Sequence, residues 1–482
     1  MNILGISAGF HDAAATLINN SGDILYAGHA ERYSKLKNDP DIHIDMIGEL
    51  GQWDIDHIAY YETPWKKQLR QLYSGQGIEW SKLTTGQILK QQLHGFFNNV
   101  PTSTHSHHQS HAAAGFQTSP FDRATVVVID AIGEWDTISI FGAQYNKGRA
   151  EYHRLWGQRY PRSLGLFYSA ITERIGLRPM EDEYITMGMS AWGRAEYTDT
   201  ISILLKENLH VGIDQMFLPL ARDVDIAASA QAVVEREIYS VMQRAQDFGW
   251  SRNLVYQGGV ALNCLANRNL GEYFEKVWIM PNPGDAGSSL GAAALAYGGP
   301  IKFDHAFHGT EISGDYPVDA VIDSLLRDKI VGVASGRAEF GPRALGNRSL
   351  LADPRGPDIK DRVNEIKRRQ QFRPFAPVIL EEYADQYFDI PPGFCDTRYM
   401  QVVGRCRHPD LFPAITHVDG TSRIQTVPQD GSGIRRLLET WHAKTNCPML
   451  LNTSLNIRGE PMVNDRADAD RFEQLYGVTV HS

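Results

Sequence analysis

The stretch ATVVVIDAIGEWDTISIFGA (124–143) decides how the chain is read. Its core, TVVVID, is a continuous run rich in β-branched residues, which predicts a strand buried on both faces. The run ends in Asp130, a glycine–glutamate turn follows, and a second extended run begins. The N-terminus has the same plan. NILGIS (2–7) is followed by the loop AGFHD, then AAATLI, a turn over Asn20, Ser21, Gly22 and Asp23, and ILYAGHAE. Turn residues between extended apolar runs read as strand, loop, strand, turn, strand.

Two copies of this unit predict an α/β chain whose N-terminal domain is duplicated in the actin-like (ASKHA, RNase H-like) manner, a fold in which the first hairpin approaches phosphates. Two later segments extend the pattern. NLVYQGGVALNCLANRNL (253–270) reads as strand, Gly-Gly turn and helix. KVWIMPNPGDAGSSLGAAALAYGG (276–299) reads as strand, a proline–glycine loop holding Asp285, and a helix of small residues. Helix N-termini after glycine loops suit anions, because free N–H groups and the helix dipole meet there. YGGPIKFDHAFHGTEIS (297–313) carries loop signals and reads as a linker. The N-terminal domain is therefore placed at 1–308 and a second α/β domain at 309–482.

The 482 residues exceed what one hydrophobic core serves, in keeping with two domains. A net charge of -10 argues against a generally basic nucleic-acid binder. The four cysteines, Cys264, Cys395, Cys406 and Cys447, are scattered without a C-x-x-C, which favours a reducing, cytoplasmic setting. No signal-peptide pattern opens the chain and no apolar run is long enough for a membrane span, so no membrane partner is expected. A homodimer is the base-rate assembly.

HSHHQSHAAAGF (105–116) puts four histidines in seven residues. On a helix, His107 and His111 share a face while His108 points elsewhere. The alanine run favours helix. An H-x-x-x-H pair alone is weak, and without the glutamate of H-E-x-x-H a zinc-protease reading has little support. Further ligands must come from elsewhere in the chain.

Residues 64–100 look helical and locally basic, with Lys66, Lys67, Arg70, Lys82 and Lys90 against the single acid Glu79. Trp65, Tyr73, Trp80, Phe96 and Phe97 are interleaved. The favoured expectation is amphipathic helices with aromatic residues inward and lysines outward. The alternative is an acceptor- or nucleic-acid-facing patch.

In the second half, GRAEFGPRALGNRSLLADPR (336–355) is dense in Arg and Gly, and NEIKRRQQFRPFAPVIL (364–380) holds Lys367, Arg368, Arg369 and Arg373. Basic residues beside glycine turns fit a phosphate or carboxylate pocket. A solvated charge run is the competing reading. The tight alternation with Phe and Pro favours the pocket.

These segments, in order along nearly the whole chain, resemble the O-carbamoyltransferases of the NodU/CmcH type. The resemblance is carried by LGISAGFHDAAATLI, HHQSHAAAGF, VVVIDAIGE, GGVALNCLANRNL, NPGDAGSSLGAA, EFGPRALGNRSLLADPR, IKRRQQFRPFAP, HVDGTSRIQTV and LLNTSLNIRGEP. It implies an actin-like domain related to threonylcarbamoyl-transferase domains, followed by a YrdC-like domain. It further implies that carbamoyl phosphate and ATP give carbamoyl-adenylate, and that the carbamoyl group then passes to a substrate hydroxyl. By similarity, His107, His111, Asp130 and Asp285 are ligands of a divalent metal. Their mixed N/O donor set suits Fe, Mn or Zn, and Mg would accompany the ATP.

His11 and Asp12, in the first glycine loop, are the catalytic candidates: a neutral imidazole there can take the acceptor hydroxyl's proton, and a structural His bonded to backbone is the competing reading. Gly258, Gly259 and Asn263 are expected beside nucleotide. Lys367, Arg369 and Arg373, with Arg343 and Arg348, are expected on the phosphates of ATP and carbamoyl phosphate. Thr421, Arg423, Asn452 and Ser454 look like nucleotide loops of YrdC-like domains, although turn formation also explains such residues. The chain departs from the family in having Ile185 where EYKVMGLAPYG has lysine, in having Gln370 where Glu is common, and in being shorter. The expected acceptor is a small hydroxylated molecule; a hydroxymethylated nucleotide or DNA base is the alternative. Competing functions are tRNA threonylcarbamoyl transfer and a non-catalytic nucleotide-binding scaffold.

Overall fold

The computed structural model describes all residues, 1–482. The chain divides into two compact units. One comprises Met1–Ala30 and Asn38–Asp304, the other Glu31–Lys37 and His305–Ser482. The linker reading placed the change at 308/309, a few residues later and without the Glu31–Lys37 excursion.

The first unit contains two five-stranded sheets. Strands β1 (Ile3–Ser7), β2 (Ala14–Ile18), β3 (Ile24–His29), β4 (His57–Tyr60) and β5 (Thr102–Thr104) form the first, in the order β3-β2-β1-β4-β5. β1–β2 and β2–β3 are antiparallel, whereas β1–β4 and β4–β5 are parallel. The second sheet uses β6 (Arg123–Gly133), β7 (Asp136–Asn146), β8 (Arg149–Arg159), β9 (Asn253–Gln257) and β10 (Lys276–Trp278) in the order β10-β9-β6-β7-β8. Again the first three strands are antiparallel, and β6–β9 and β9–β10 are parallel. Both sheets thus have one topology, which is the duplicated actin-like architecture. β1 and β2 are buried at every residue, and β6 is buried from Ala124 to Asp130, as two-sided coverage requires.

That coverage comes from two helices of small residues. Helix Ser288–Tyr297 packs on β1, β2 and β4, helix His107–Phe116 packs on β6 and β9, and the two pack on each other. Glycine is what allows this closeness. A Cβ on Gly291 would lie 1.8 Å from the Ser110 carbonyl oxygen, and one on Gly5 would lie 1.9 Å from that of Ser289. The layers are therefore sheet, helix, helix, sheet, and the C-terminal ends of β1, β4, β6 and β9 gather around the helix pair. Ligand sites in open α/β sheets collect at such carboxyl ends.

Within the 64–100 region, helix Pro64–Tyr73 reverses the expected facing, while Lys90 is exposed and Ile88 and Leu89 are buried as expected. In helix Pro64–Tyr73, Lys67 and Arg70 are buried, while Trp65, Leu69, Leu72 and Tyr73 are exposed. Trp80 is also exposed, at 70%. The cause is a buried partner: Lys67 Nζ lies 3.0 Å from Oε1 of Glu62, which is itself fully buried. A paired, hydrogen-bonded cation can be taken inside.

The second unit is a separate α/β body. After β11 (Phe307–Ile312), its main sheet is built from β12 (Ile330–Ala334), β14 (Arg348–Ala352), β15 (Ala376–Leu380), β19 (Gln425–Val427), β20 (Met449–Ser454) and β21 (Val480–His481) in the order β19-β15-β20-β14-β12-β21. β11 pairs with β13 (Gly336–Glu339), and β16 (Phe388–Asp389), β17 (Val403–Cys406) and β18 (Thr421–Arg423) form a small third sheet. Helices Val318–Asp328 and Gly433–Thr445 pack together beside the main sheet, with Trp441 fully buried in the core. All four cysteines are free, and no helix is long and apolar enough to cross a membrane.

Candidate functional site

Four side chains converge where the strand ends meet the helix pair. His107 and His111 lie one turn apart at the start of helix His107–Phe116, with their Nε2 atoms 3.1 Å apart. Asp130 lies in β6, and Asp285 sits in the proline–glycine loop before helix Ser288–Tyr297. Asp130 Oδ2 is 3.2 Å from His107 Nε2 and 3.7 Å from His111 Nε2. Asp285 Oδ1 is 3.3 Å and 3.1 Å from the same two atoms. One donor atom from each residue lies within 4.8 Å of all the others, and all four residues are buried. Donors about 2.0–2.2 Å from a shared cation stand roughly 3–3.5 Å apart. The cage therefore has the size of a metal-coordination sphere.

The remaining ring nitrogens are also engaged. His107 Nδ1 donates to Glu62 Oε2 at 3.3 Å, and His111 Nδ1 donates to the Pro283 carbonyl at 3.0 Å. Engagement of Nδ1 turns both Nε2 atoms to the centre, the nitrogens that a metal would take. His108 instead reaches Ser139 Oγ at 2.8 Å. Burial, with the neighbouring His107 charge, pushes His108 down to about 3, so it stays neutral.

The electrostatics follow from the pairing. Burial disfavours charge on His107, but the Asp285 charge and the hydrogen bonds it donates to Asp130 and Asp285 raise it well above the usual imidazole range. Burial and the Asp285 charge push Asp130 up, yet hydrogen bonds from the two imidazoles hold it below the usual carboxylate range. Asp285 is likewise held low against burial, chiefly by the charges on His107 and His11.

His11 and Asp12 occupy the loop after β1. His11 Nε2 lies 3.4 Å from Asp285 Oδ2, and its Nδ1 lies 3.5 Å from Asp12 Oδ2. The side chain keeps 37% exposure while its ring faces both carboxylates. Loss of water opposes charge on the ring, and Asp285 and Asp12 override it, raising His11 to about 9.

The three residues expected beside nucleotide are committed to the protein. The Gly259 N–H donates to Asp130 Oδ1 at 3.2 Å and so orients a cage carboxylate. Gly258 has φ +91° and donates to the Pro283 carbonyl, which also receives His111. A Cβ on Gly258 would lie 2.1 Å from the Ile129 oxygen. Gly258→Ala is thus expected to cost about 1–3 kcal/mol for the backbone conformation alone, read as a lowered melting temperature together with weaker metal binding. Asn263 exchanges two 3.0 Å hydrogen bonds with Gln231 and accepts from the Ala266 N–H, a structural role.

In the second unit, Lys367 is the central basic residue. It is buried, and its Nζ contacts only neutral oxygens: the Ser454 carbonyl at 2.5 Å, the Asn456 carbonyl at 2.8 Å, Asn456 Oδ1 at 2.9 Å and Ser454 Oγ at 3.3 Å. Burial, and the positive charges of Arg369, Arg373 and Lys37, hold it well below the usual lysine range. Lys367 has no carboxylate partner, and an anion arriving beside it and the two arginines would restore its charge. Arg369 is braced by Asn364 Oδ1 and the Pro374 carbonyl and stacks over Phe375.

Arg348 does not join this group. Its side chain is fully buried, and it donates to the carbonyls of Asn464, Ser335, Gly336, Asn347 and Thr310. It ties loops together and presents no open face to a phosphate, so its assignment to the phosphate pocket is corrected. Asn452 bonds Ala344 and Gln425, and Thr421 bonds Asp419; Arg423 lies with Thr421 on β18, and Arg343 is half-buried in the loop before β14. Among the expected pocket residues, only Ser454 bonds Lys367 directly.

Sequence reasoning missed three residues around the cage. Glu62 and Lys67 form the buried pair behind His107. Glu134 Oε1 accepts from the backbone N–H groups of Thr63 (2.7 Å) and His107 (3.3 Å), clamping two helix starts. The available signals were modest: Glu62 as an acid directly after a strand, and Glu134 in the turn that follows Asp130.

The chain belongs to the carbamoyltransferase family: the family's N-terminal domain model matches residues 2–216 and 197–294, and its C-terminal model matches 322–480. It is similar to an uncharacterized protein of Synechocystis sp. (34% identity, 98% of this chain and 94% of that one). It is also similar to nodulation protein NolNO of Sinorhizobium fredii (30% identity, 95% of this chain and 76% of that one) and to nodulation protein U of Rhizobium tropici (37%, 51% and 45%). Likeness to solved structures is loose. T. kodakarensis HypF overlaps 61% of this chain and 47% of its own at 14% identity with a TM-score of 0.37, which adds nothing to the topology above.

Proposed function

We propose that the protein is an ATP- and carbamoyl-phosphate-dependent O-carbamoyltransferase with a divalent metal in the first unit. The four-donor cage carries the metal reading, and its charge count supports it. Glu62, Asp130, Asp285 and Glu134 bring four carboxylates into the buried region against one buried lysine, Lys67, so a divalent cation can replace the protons that the two imidazoles otherwise hold. The donors fit Fe, Mn or Zn. Such an ion, held by His107, His111, Asp130 and Asp285, would neutralise nucleotide phosphate charge.

In the second unit, Lys367, Arg369 and Arg373 would bind the phosphates of carbamoyl phosphate and ATP, the guanidinium groups acting bidentately. Water forms a bond to the phosphorus of carbamoyl phosphate as its bond to the carbamate oxygen breaks, giving inorganic phosphate and carbamate. The carbamate oxygen then forms a bond to the α-phosphorus of ATP as the α–β bond breaks, releasing pyrophosphate and leaving carbamoyl-adenylate. In the first unit, the acceptor oxygen bonds to the carbamoyl carbon and the carbamoyl–AMP bond breaks. His11, held protonated by Asp285 and Asp12, would serve as base once a divalent ion draws off the charge of Asp285 and the ring gives up its proton; it would then take the hydroxyl proton. Asp12 and Asp285 hold the ring and favour the imidazolium that results.

The acceptor is taken to be a small hydroxylated molecule. The exposed rings Trp65, Tyr73 and Trp80, interleaved with Lys66 and Lys82, favour a nucleotide or DNA acceptor as the second reading.

The test is pyrophosphate release from ATP without acceptor, with and without carbamoyl phosphate. Release that needs carbamoyl phosphate is expected. Release indifferent to it, or none with any acceptor from a hydroxylated panel, would sink the adenylation scheme.

A further inference from the structure

Lys67 touches two elements that the mechanism needs. Its Nζ lies 3.0 Å and 3.3 Å from the two oxygens of Glu62, and 3.1 Å from the centroid of the Phe10 ring. Glu62 Oε2 in turn receives Nδ1 of His107, and Phe10 immediately precedes His11. Glu62 is 0% exposed and Lys67 6%. A buried ion pair is seldom retained for stability alone, because desolvation offsets most of its attraction. A carboxylate behind a ligating imidazole, by contrast, fixes its tautomer and raises its basicity. The cation–π contact holds the loop of His11 against the same ammonium.

We infer that Glu62 and Lys67 are positioning residues for the metal centre: Glu62 sets His107 to bind through Nε2, and Lys67 supplies the counter-charge of Glu62 while bracing Phe10 beneath His11. The inference rests on the metal reading of the cage. Neither residue donates to the metal, and the role belongs to the side chains behind the donors.

The experiment is Co2+ titration of the metal-free full chain, followed by calorimetry and by the visible absorption of the bound ion. Wild type is expected to bind one ion per cage. Glu62→Gln is expected to bind about 10–100-fold more weakly, with a shifted visible band. Glu62→Gln combined with Lys67→Met removes both charges, so no unpaired ion stays buried, and it should show a similar loss at a melting temperature near that of wild type. Wild-type affinity and spectrum in either folded variant would overturn the inference while leaving the metal reading intact. No binding by wild type would instead remove the metal reading. In Zn2+-loaded wild type, 15N-histidine spectra should show the His107 proton on Nδ1. A proton on Nε2 would overturn the inference without recourse to any variant.

Discussion

Asp285→Asn is expected to abolish carbamoyl transfer to the acceptor while leaving carbamoyl-phosphate-dependent pyrophosphate release near its wild-type rate. Asp285 is the most connected donor of the cage. Oδ1 faces both imidazole Nε2 atoms, and Oδ2 faces His11. Asparagine keeps the shape and one oxygen but removes the charge that holds the ion and supports an imidazolium at His11. The lost metal and the misplaced base together should slow transfer about 10³-fold or more, since several kcal/mol of charge stabilisation is withdrawn. The residues proposed for adenylation all lie in the second unit, so that half-reaction has no reason to fall with it. Measuring acceptor carbamoylation and pyrophosphate release on one preparation decides the matter. Equal loss of both would contradict the division of labour between the units.

The second large effect is expected at Lys367. Lys367→Met should cut carbamoyl-phosphate-dependent pyrophosphate release about 10²–10³-fold, the usual consequence of removing a positioned charge from a transferring phosphoryl group. Stability should change little by comparison. The substitution removes a buried amine that has no carboxylate partner, which is favourable, and leaves the Asn456 carbonyl without its donor, which costs about 1–3 kcal/mol, while the Ser454 carbonyl and Asn456 Oδ1 keep bonds from Asn456 N–H and Ser454 Oγ. The two effects oppose. A fall in melting temperature large enough to explain the lost rate would show Lys367 to be only a strut between Ser454 and Asn456.

The duplicated fold was legible because its signals are local. A strand buried on both faces needs an unbroken apolar run, and NILGIS and TVVVID both have one. Asn19 Oδ1 accepting from the Ser21 and Asp23 N–H groups shows the side-chain chemistry of the first predicted turn. His107 and His111 could be paired by helical spacing alone. Asp130 and Asp285 could be joined to them only through resemblance, since 155 positions separate those two aspartates along the chain.

Other features could not be read in one dimension. Lys67 looked like one more solvated cation, because nothing in the sequence says that Glu62, at the end of a strand, turns inward beneath it. The aromatic residues of 64–80 were expected inside for the same reason; once Lys67 and Arg70 take the inner face, the rings are left outside. Arg348 misled in the opposite direction. An arginine among glycines reads as an anion site, yet here the bends put backbone carbonyls around the guanidinium.

The contact of the Gly291 position with the Ser110 carbonyl bears on ion choice. The imidazoles and Asp285 sit at the starts of two helices that meet backbone to backbone, with no side chain between them to compress or yield. The spacing of the donors is consequently a property of the main chain, set when the unit folds. On the proposed metal reading, a cation would have to accept that spacing as it finds it, and discrimination among ions would rest on the fit of their bond lengths to a ruler built from glycine and alanine.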